Sequence, residues 1–196
     1  MFLLVGFAIG FGTLYTWTKK RAPDIVRAIP LPAESAARST ASASGGSAEE
    51  PPPPLDTARV KELENEIESN PKNVEAMVEL ANMHFEQRNF RDAIRFYTRA
   101  LELRPSNVNV RTDLATAMFY EKRFDDAIAE FKKSLELEPD DPRTLFNMGV
   151  AYLHGKNDPE GAVQAWEKLI ASNPGFPQVD FVKDQIRLLK ERVKQP

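Results

Sequence analysis

Along residues 56–196, apolar side chains recur at spacings of three and four, which is the period of amphipathic helices. In the first clear pair, two helix faces are marked by Met77, Leu80, Ala81 and His84, and then by Ala93, Tyr97 and Ala100. The polar run 87–89 between them has the length of a turn that joins antiparallel helices. The pattern therefore predicts an all-α domain built from helical hairpins.

The hairpins repeat with a period of 34 residues. Pro71, Pro105 and Pro139 are 34 residues apart, and each ends a predicted second helix because proline cannot continue one. The interval grows to 35 residues between Pro139 and Pro174. We place the extra residue in the polar turn 155–159, where a hairpin accepts an insertion without disturbing its packed faces.

Each copy carries the same order of small, apolar and aromatic residues. The three sets are Met77, Leu80, Ala81, His84, Ala93, Tyr97, Ala100 and Pro105; Arg111, Leu114, Ala115, Met118, Ala127, Phe131, Ser134 and Pro139; and Leu145, Met148, Gly149, Tyr152, Ala162, Trp166, Leu169 and Pro174. This order resembles the signature of the tetratricopeptide repeat. The resemblance implies an α-solenoid of three hairpins, 74–107, 108–141 and 142–176.

Two flanking helices complete this predicted domain, which covers residues 56–196. Val60, Leu63 and Ile67 form an apolar stripe before Pro71, as in the second helix of a degenerate repeat. After the last repeat, an amphipathic stretch at 178–194 predicts a C-terminal capping helix, which solenoids need to remain soluble.

An apolar run without charged residues covers residues 2–18, and a basic cluster comes directly after it at 19–21. A helix of this length just spans a bilayer core of ~30 Å, so we predict a single-pass anchor in the cytoplasmic membrane. Positive charges after the span favour a cytoplasmic repeat domain, with the extracytoplasmic side as the alternative. A GxxxG pair, Gly6 and Gly10, leaves a weak homo-oligomer open.

Residues 22–55 differ in composition from the segments on either side. They are rich in proline, alanine and serine and end near a run of four prolines, 51–54. Such a segment has too few large apolar residues to offset the entropy cost of folding, so we predict a disordered linker.

Composition removes several classes of function. The chain has no cysteine, which excludes thiolate metal sites, disulfides and a cysteine nucleophile, and it has only two histidines. Its net charge of −3 argues against nucleic acid as the main ligand. We find no catalytic constellation and no metal-ligand spacing, and we therefore expect a non-enzymatic protein without a cofactor.

The resemblance also implies a binding surface, because the first helix of each tetratricopeptide hairpin lines a concave groove. Carried over position by position, the groove residues are Val78, Asn82, Phe85, Thr112, Thr116, Phe119, Arg143, Phe146 and Val150. Their mixture of apolar centre and polar edge suits a peptide or helix with apolar anchors. The alternative for Phe85 and Phe119 is that they only pack between repeats.

Together these features predict a membrane-tethered scaffold that binds a segment of a partner protein. Two alternatives remain open. One is a chaperone similar to cytochrome c maturation factors, which would present apocytochrome outside the cytoplasmic membrane. The other is an assembly protein that associates with itself through its repeats.

Overall fold

The computed structural model of the protein describes residues 55–193, and this part of the chain is all α-helical. Its helices are α1 (Thr57–Ser69), α2 (Val74–Glu86), α3 (Phe90–Leu103), α4 (Val108–Tyr120), α5 (Phe124–Leu137), α6 (Pro142–Val150), α7 (Pro159–Ser172) and α8 (Val179–Val193). A π-helical turn, Ala151–Gly155, continues α6. The predicted anchor, residues 2–18, and residues 22–54 of the predicted linker lie outside the described part. None of the helices within 55–193 is both long and apolar enough to cross a membrane.

The helices pack as three consecutive hairpins, α2–α3, α4–α5 and α6–α7, with α1 before them and α8 packed against α7. The predicted all-α solenoid is thereby confirmed for the described residues. We call the hairpins the first, second and third.

The first helix of each hairpin begins at a capping side chain two residues after the proline that ends the preceding helix. Asn73 accepts a hydrogen bond from the backbone N–H of Ala76, at 3.1 Å, and Asn107 accepts one from Val110, at 3.2 Å. Such caps stabilise a helix by about 1 kcal/mol. Phe176 occupies the corresponding position after Pro174 and has no side-chain oxygen to cap a helix, and α8 starts at Val179.

Most signature positions lie in the core, as predicted, while His84, Arg111, Met148 and Tyr152 are half-buried and the closing prolines are exposed. Ala93, Ala127 and Ala162 are fully buried where the two helices of each hairpin cross. The aromatic residue four positions later is also buried in each hairpin; these residues are Tyr97, Phe131 and Trp166. A Cβ atom added at Gly149 would lie 2.2 Å from Nε1 of Trp166, so this indole requires a glycine on the facing helix.

The extra residue of the third hairpin lies in its turn. In the second hairpin the N–H of Arg123 donates to the carbonyl of Met118, five residues earlier. The equivalent bond in the third hairpin runs from Asp158 to Tyr152, six residues earlier. The insertion therefore widens the turn into the π-helical segment and leaves α7 in register.

The two end helices carry charges at positions where the hairpins carry packing residues. In α1, Arg59 and Glu66 occupy the positions equivalent to Ala93 and Ala100. Arg59 forms an ion pair with Glu66 at 3.6 Å and another with Glu62 at 2.6 Å. The α8 positions equivalent to Leu145, Met148, Gly149 and Tyr152 are Asp180, Lys183, Asp184 and Arg187, all exposed. Both ends of the described solenoid are therefore polar.

Candidate peptide-binding groove

The predicted groove is open at the first hairpin. Val78 and Phe85 are half-buried on α2, and Asn82 is exposed between them. The hydroxyl of Tyr97 donates to Oδ1 of Asn82 at 2.6 Å, which fixes the amide against the second helix of the same hairpin. We call Val78, Asn82 and Phe85 the open section.

At the second hairpin the predicted groove residues point into the interior. Thr112 is fully buried, and Thr116 and Phe119 are nearly so. The hydroxyl of Thr112 lies 2.7 Å from that of Thr144 on the next hairpin, and Thr116 donates to the backbone carbonyl of Thr112 at 2.8 Å. Their hydroxyl groups are satisfied within the protein, so these residues offer a partner little surface.

Much of the groove of the third hairpin is filled by the chain itself. Phe146 is 4% exposed, and its ring lies 5.8 Å from that of Phe176, which comes after α7, and 6.4 Å from that of Trp166. Val150 is fully buried. Arg143 is half-exposed and donates to Asp113 Oδ1 at 2.6 Å, bridging the second and third hairpins.

An aromatic cluster borders the open section at the hairpin turns. Phe85 meets Tyr120 edge to face with 5.7 Å between ring centroids, and Phe90 stacks on Tyr120 at 4.8 Å. Phe119 contacts Tyr120 and Phe124. Phe85 therefore packs against the second hairpin but remains half-buried, whereas these contacts of Phe119 lie within its own hairpin.

The nine predicted residues thus divide into three that form the open section, five that are buried, and Arg143, which bridges the second and third hairpins. Their role in binding stays a prediction. Sequence reasoning missed Tyr97 and Tyr120 as neighbours of the open section. The repeat signature assigns the Tyr97 ring to packing and does not predict where its hydroxyl reaches, and Tyr120 lies outside the signature.

Burial and ion pairing set the electrostatics beside the groove. Burial raises the pKa of Asp113, while the charge and hydrogen bond of Arg143 oppose that rise. Burial also raises the pKa of Tyr97, which keeps its hydroxyl protonated and able to donate to Asn82.

Neither histidine belongs to a cluster of potential ligands within residues 55–193. Burial lowers the pKa of His154, whose Nε2 has no hydrogen-bond partner, and the His84 ring stacks on Phe96 at 5.7 Å. No group of three or more His, Asp or Glu side chains in the described residues is placed to hold a metal ion.

A family model for the tetratricopeptide repeat matches residues 84–143 and 118–185, which together span more than half of the chain. The chain belongs to the tetratricopeptide repeat family. The match covers all or part of each hairpin, and tetratricopeptide repeat proteins are typically non-enzymatic scaffolds for protein–protein interaction. No curated protein matches the sequence significantly.

Several solved tetratricopeptide repeat structures have the same fold. MamA is 18% identical, with a TM-score of 0.57 over 69% of this chain and 87% of MamA. The type III secretion translocator chaperone SycD of Yersinia enterocolitica is 15% identical, with a TM-score of 0.57 over 62% of this chain and 95% of SycD. YrrB, a TPR protein with an unusual peptide-binding site, is 21% identical, with a TM-score of 0.59 over 64% of each chain. At these identities the likeness shows the fold alone.

Proposed function

We propose that this protein is a non-catalytic scaffold, tethered to the cytoplasmic membrane through residues 2–18, that binds a peptide or helix of a partner protein. The partner segment inserts apolar anchors into the concave groove of the repeat domain. Binding needs no cofactor, and nucleic acid is not the ligand.

The open section is the observation that carries this proposal. Val78 and Phe85 are seven residues apart on α2 and therefore lie two helical turns from each other on one face. Asn82 stands between them, and its amide nitrogen is left to donate because its oxygen accepts from Tyr97. Two apolar contacts with a polar group between them suit a short segment with two anchors.

Such a site binds a partner weakly by itself, and the membrane anchor compensates for the low affinity. Each well-filled anchor contributes on the order of 1.5–3 kcal/mol before the entropy costs of association. Attachment to the membrane raises the local concentration of a partner on the same membrane, which strengthens a weak contact without new interactions.

Position-specific crosslinking in intact membranes tests the groove. A photoreactive amino acid replaces Asn82 in the open section or, as the matched control, Thr98, an exposed residue on α3. We expect one protein to crosslink from position 82 and not from position 98, with the yield reduced by Val78→Ser. Equal crosslinking from both positions, or none from position 82, would contradict the groove as the binding surface.

Topology is tested separately. The positive cluster at 19–21 supports a cytoplasmic repeat domain. An alkaline phosphatase fusion after Pro196 should then be inactive, and the protein should stay with the membrane in carbonate buffer. An active fusion would place the domain outside and favour the role similar to a cytochrome c maturation factor.

A further inference from the structure

The two helices of the first hairpin carry predominantly opposite charges. Helix α2, which lines the groove, has three carboxylates and no Lys or Arg. Helix α3, on the other side of the hairpin, has Arg91, Arg95 and Arg99 against Asp92 and Glu102. The charged groups that α2 itself contributes are therefore all carboxylates.

Two of the three α2 carboxylates are neutralised by neighbouring helices. Glu75 is paired with Arg104, and Glu79 accepts hydrogen bonds from Arg59 at 2.7 and 2.9 Å. The bond from Arg104 lowers the pKa of Glu75, and the bond from Arg59 lowers that of Glu79. Both carboxylates are held by cations of this chain, so neither needs one from a partner.

Glu86 is the exception. It is exposed at the end of α2, directly after Phe85, and within residues 55–193 no Lys or Arg pairs with it. Glu86 lies four residues, about one helical turn, after Asn82 on α2, so it stands on the same helix face as the open section. The other nearby carboxylate, Asp113, is paired with Arg143.

We infer that the partner segment is basic as well as apolar, with a Lys or Arg that pairs with Glu86 while its apolar side chains pack on Val78 and Phe85. This inference rests on the proposed function and adds the chemistry of the partner. Because Glu86 lies at the hairpin-turn end of α2, the basic residue lies at one end of the bound segment, beyond the apolar anchor that meets Phe85.

Two synthetic peptides test the charge preference on the full chain in detergent micelles. They share one pattern of leucine and alanine and differ only in flanking lysines or glutamates. Fluorescence anisotropy at low salt should show the lysine peptide binding more tightly. Glu86→Lys replaces an exposed ion pair with a repulsion, so we expect it to weaken the lysine peptide by roughly fivefold and to improve binding of the glutamate peptide.

A matched control separates this effect from net charge. Glu102 is an exposed carboxylate on α3 with no ion pair in the described residues, and Glu102→Lys makes the same change away from the groove. We expect Glu102→Lys to change either affinity by less than about twofold, as a screened charge beyond the contact would.

The outcomes distinguish this inference from the proposed function. Equal binding of both peptides, weakened by Val78→Ser and unaffected by Glu86→Lys, would leave the groove standing and overturn the basic partner. Failure of both peptides to bind would count against the groove itself. If the peptides bind only after residues 19–32 are deleted, the groove belongs to this chain's own basic segment. If the protein self-associates and Glu86→Lys abolishes the association, the groove binds a second copy of the chain.

Discussion

The first and third hairpins present equivalent groove positions to very different surroundings. Val78 and Phe146 stand at the same position of their repeats, yet Val78 is half-exposed while Phe146 is 4% exposed. The difference comes from the segment on the C-terminal side of each hairpin. Asn107 comes after the first and caps α4, whereas Phe176 comes after the third and lies against Phe146. A repeat position therefore predicts where a side chain points and leaves open whether the chain itself covers it.

The sharpest test of this difference is Phe146→Ala. Removing a ring that packs against Trp166 and Phe176 leaves a cavity, and we expect a loss of about 3–5 kcal/mol in the free energy of unfolding. Val78→Ala, at the equivalent position, should cost about 1 kcal/mol. Urea unfolding monitored by circular dichroism measures both. Equal losses would mean that the third hairpin is as open as the first.

Gly149→Ala tests how tightly the third hairpin is closed. The new methyl group would meet the buried ring of Trp166 at 2.2 Å, and overpacking of this kind costs roughly 1–3 kcal/mol. Gly175→Ala is the control, because nothing lies within 4 Å of a Cβ added there. Thermal unfolding of the two variants gives the comparison, and an unchanged melting temperature for Gly149→Ala would show that the indole can move.

Arg143→Gln tests the bridge between the second and third hairpins through its dependence on pH. The folded pKa of Asp113 is raised by burial, so this carboxyl costs stability at neutral pH, and the cost disappears as the pH falls through that pKa. Without Arg143 the cost at neutral pH grows. We expect the variant to lose roughly 1 kcal/mol more at pH 7 than at pH 4, relative to the unchanged protein.

The double variant Asp113→Asn with Arg143→Gln provides the control for that experiment. It lacks the titrating carboxyl and should lose the extra dependence on pH. Carboxyls with a lowered pKa, such as Glu79, weaken both proteins equally on acidification and cancel in the difference. The same pH dependence in the double variant would assign the effect to another group.

The smallest expected effect concerns the hairpin turns. Lys122 in the second hairpin and Asn157 in the third have φ values of 61° and 51°, in the left-handed region that glycine adopts without strain. Lys122→Gly should therefore stabilise the protein by about 1 kcal/mol, and Asn157→Gly by less, because asparagine tolerates this region. A fall in melting temperature for Lys122→Gly would show that its side chain makes a stabilising contact.

The repeats could be predicted well from the sequence because local geometry alone requires each type of signature residue at its position. Prolines end helices, and alanines such as Ala127 allow two helices to cross closely. The widened turn was placed within a few residues: the prediction was 155–159, and the structure widens the chain between Tyr152 and Asp158. The groove was less predictable. The burial of Thr112 depends on Thr144 of another repeat, and that of Phe146 on an aromatic residue where the earlier repeats have a cap, so neither can be deduced from one hairpin alone.

The charged residues at the two ends of the solenoid have a consequence for its length. Arg59 and Glu66 at one end, and Asp180 and Asp184 at the other, stand where an additional hairpin would need alanine or leucine. A further hairpin placed there would have to desolvate these ion-paired groups, at a cost of several kcal/mol. The helices at the two ends of residues 55–193 therefore disfavour a further hairpin, and lengthening this part of the solenoid by protein engineering would require replacing those four side chains first.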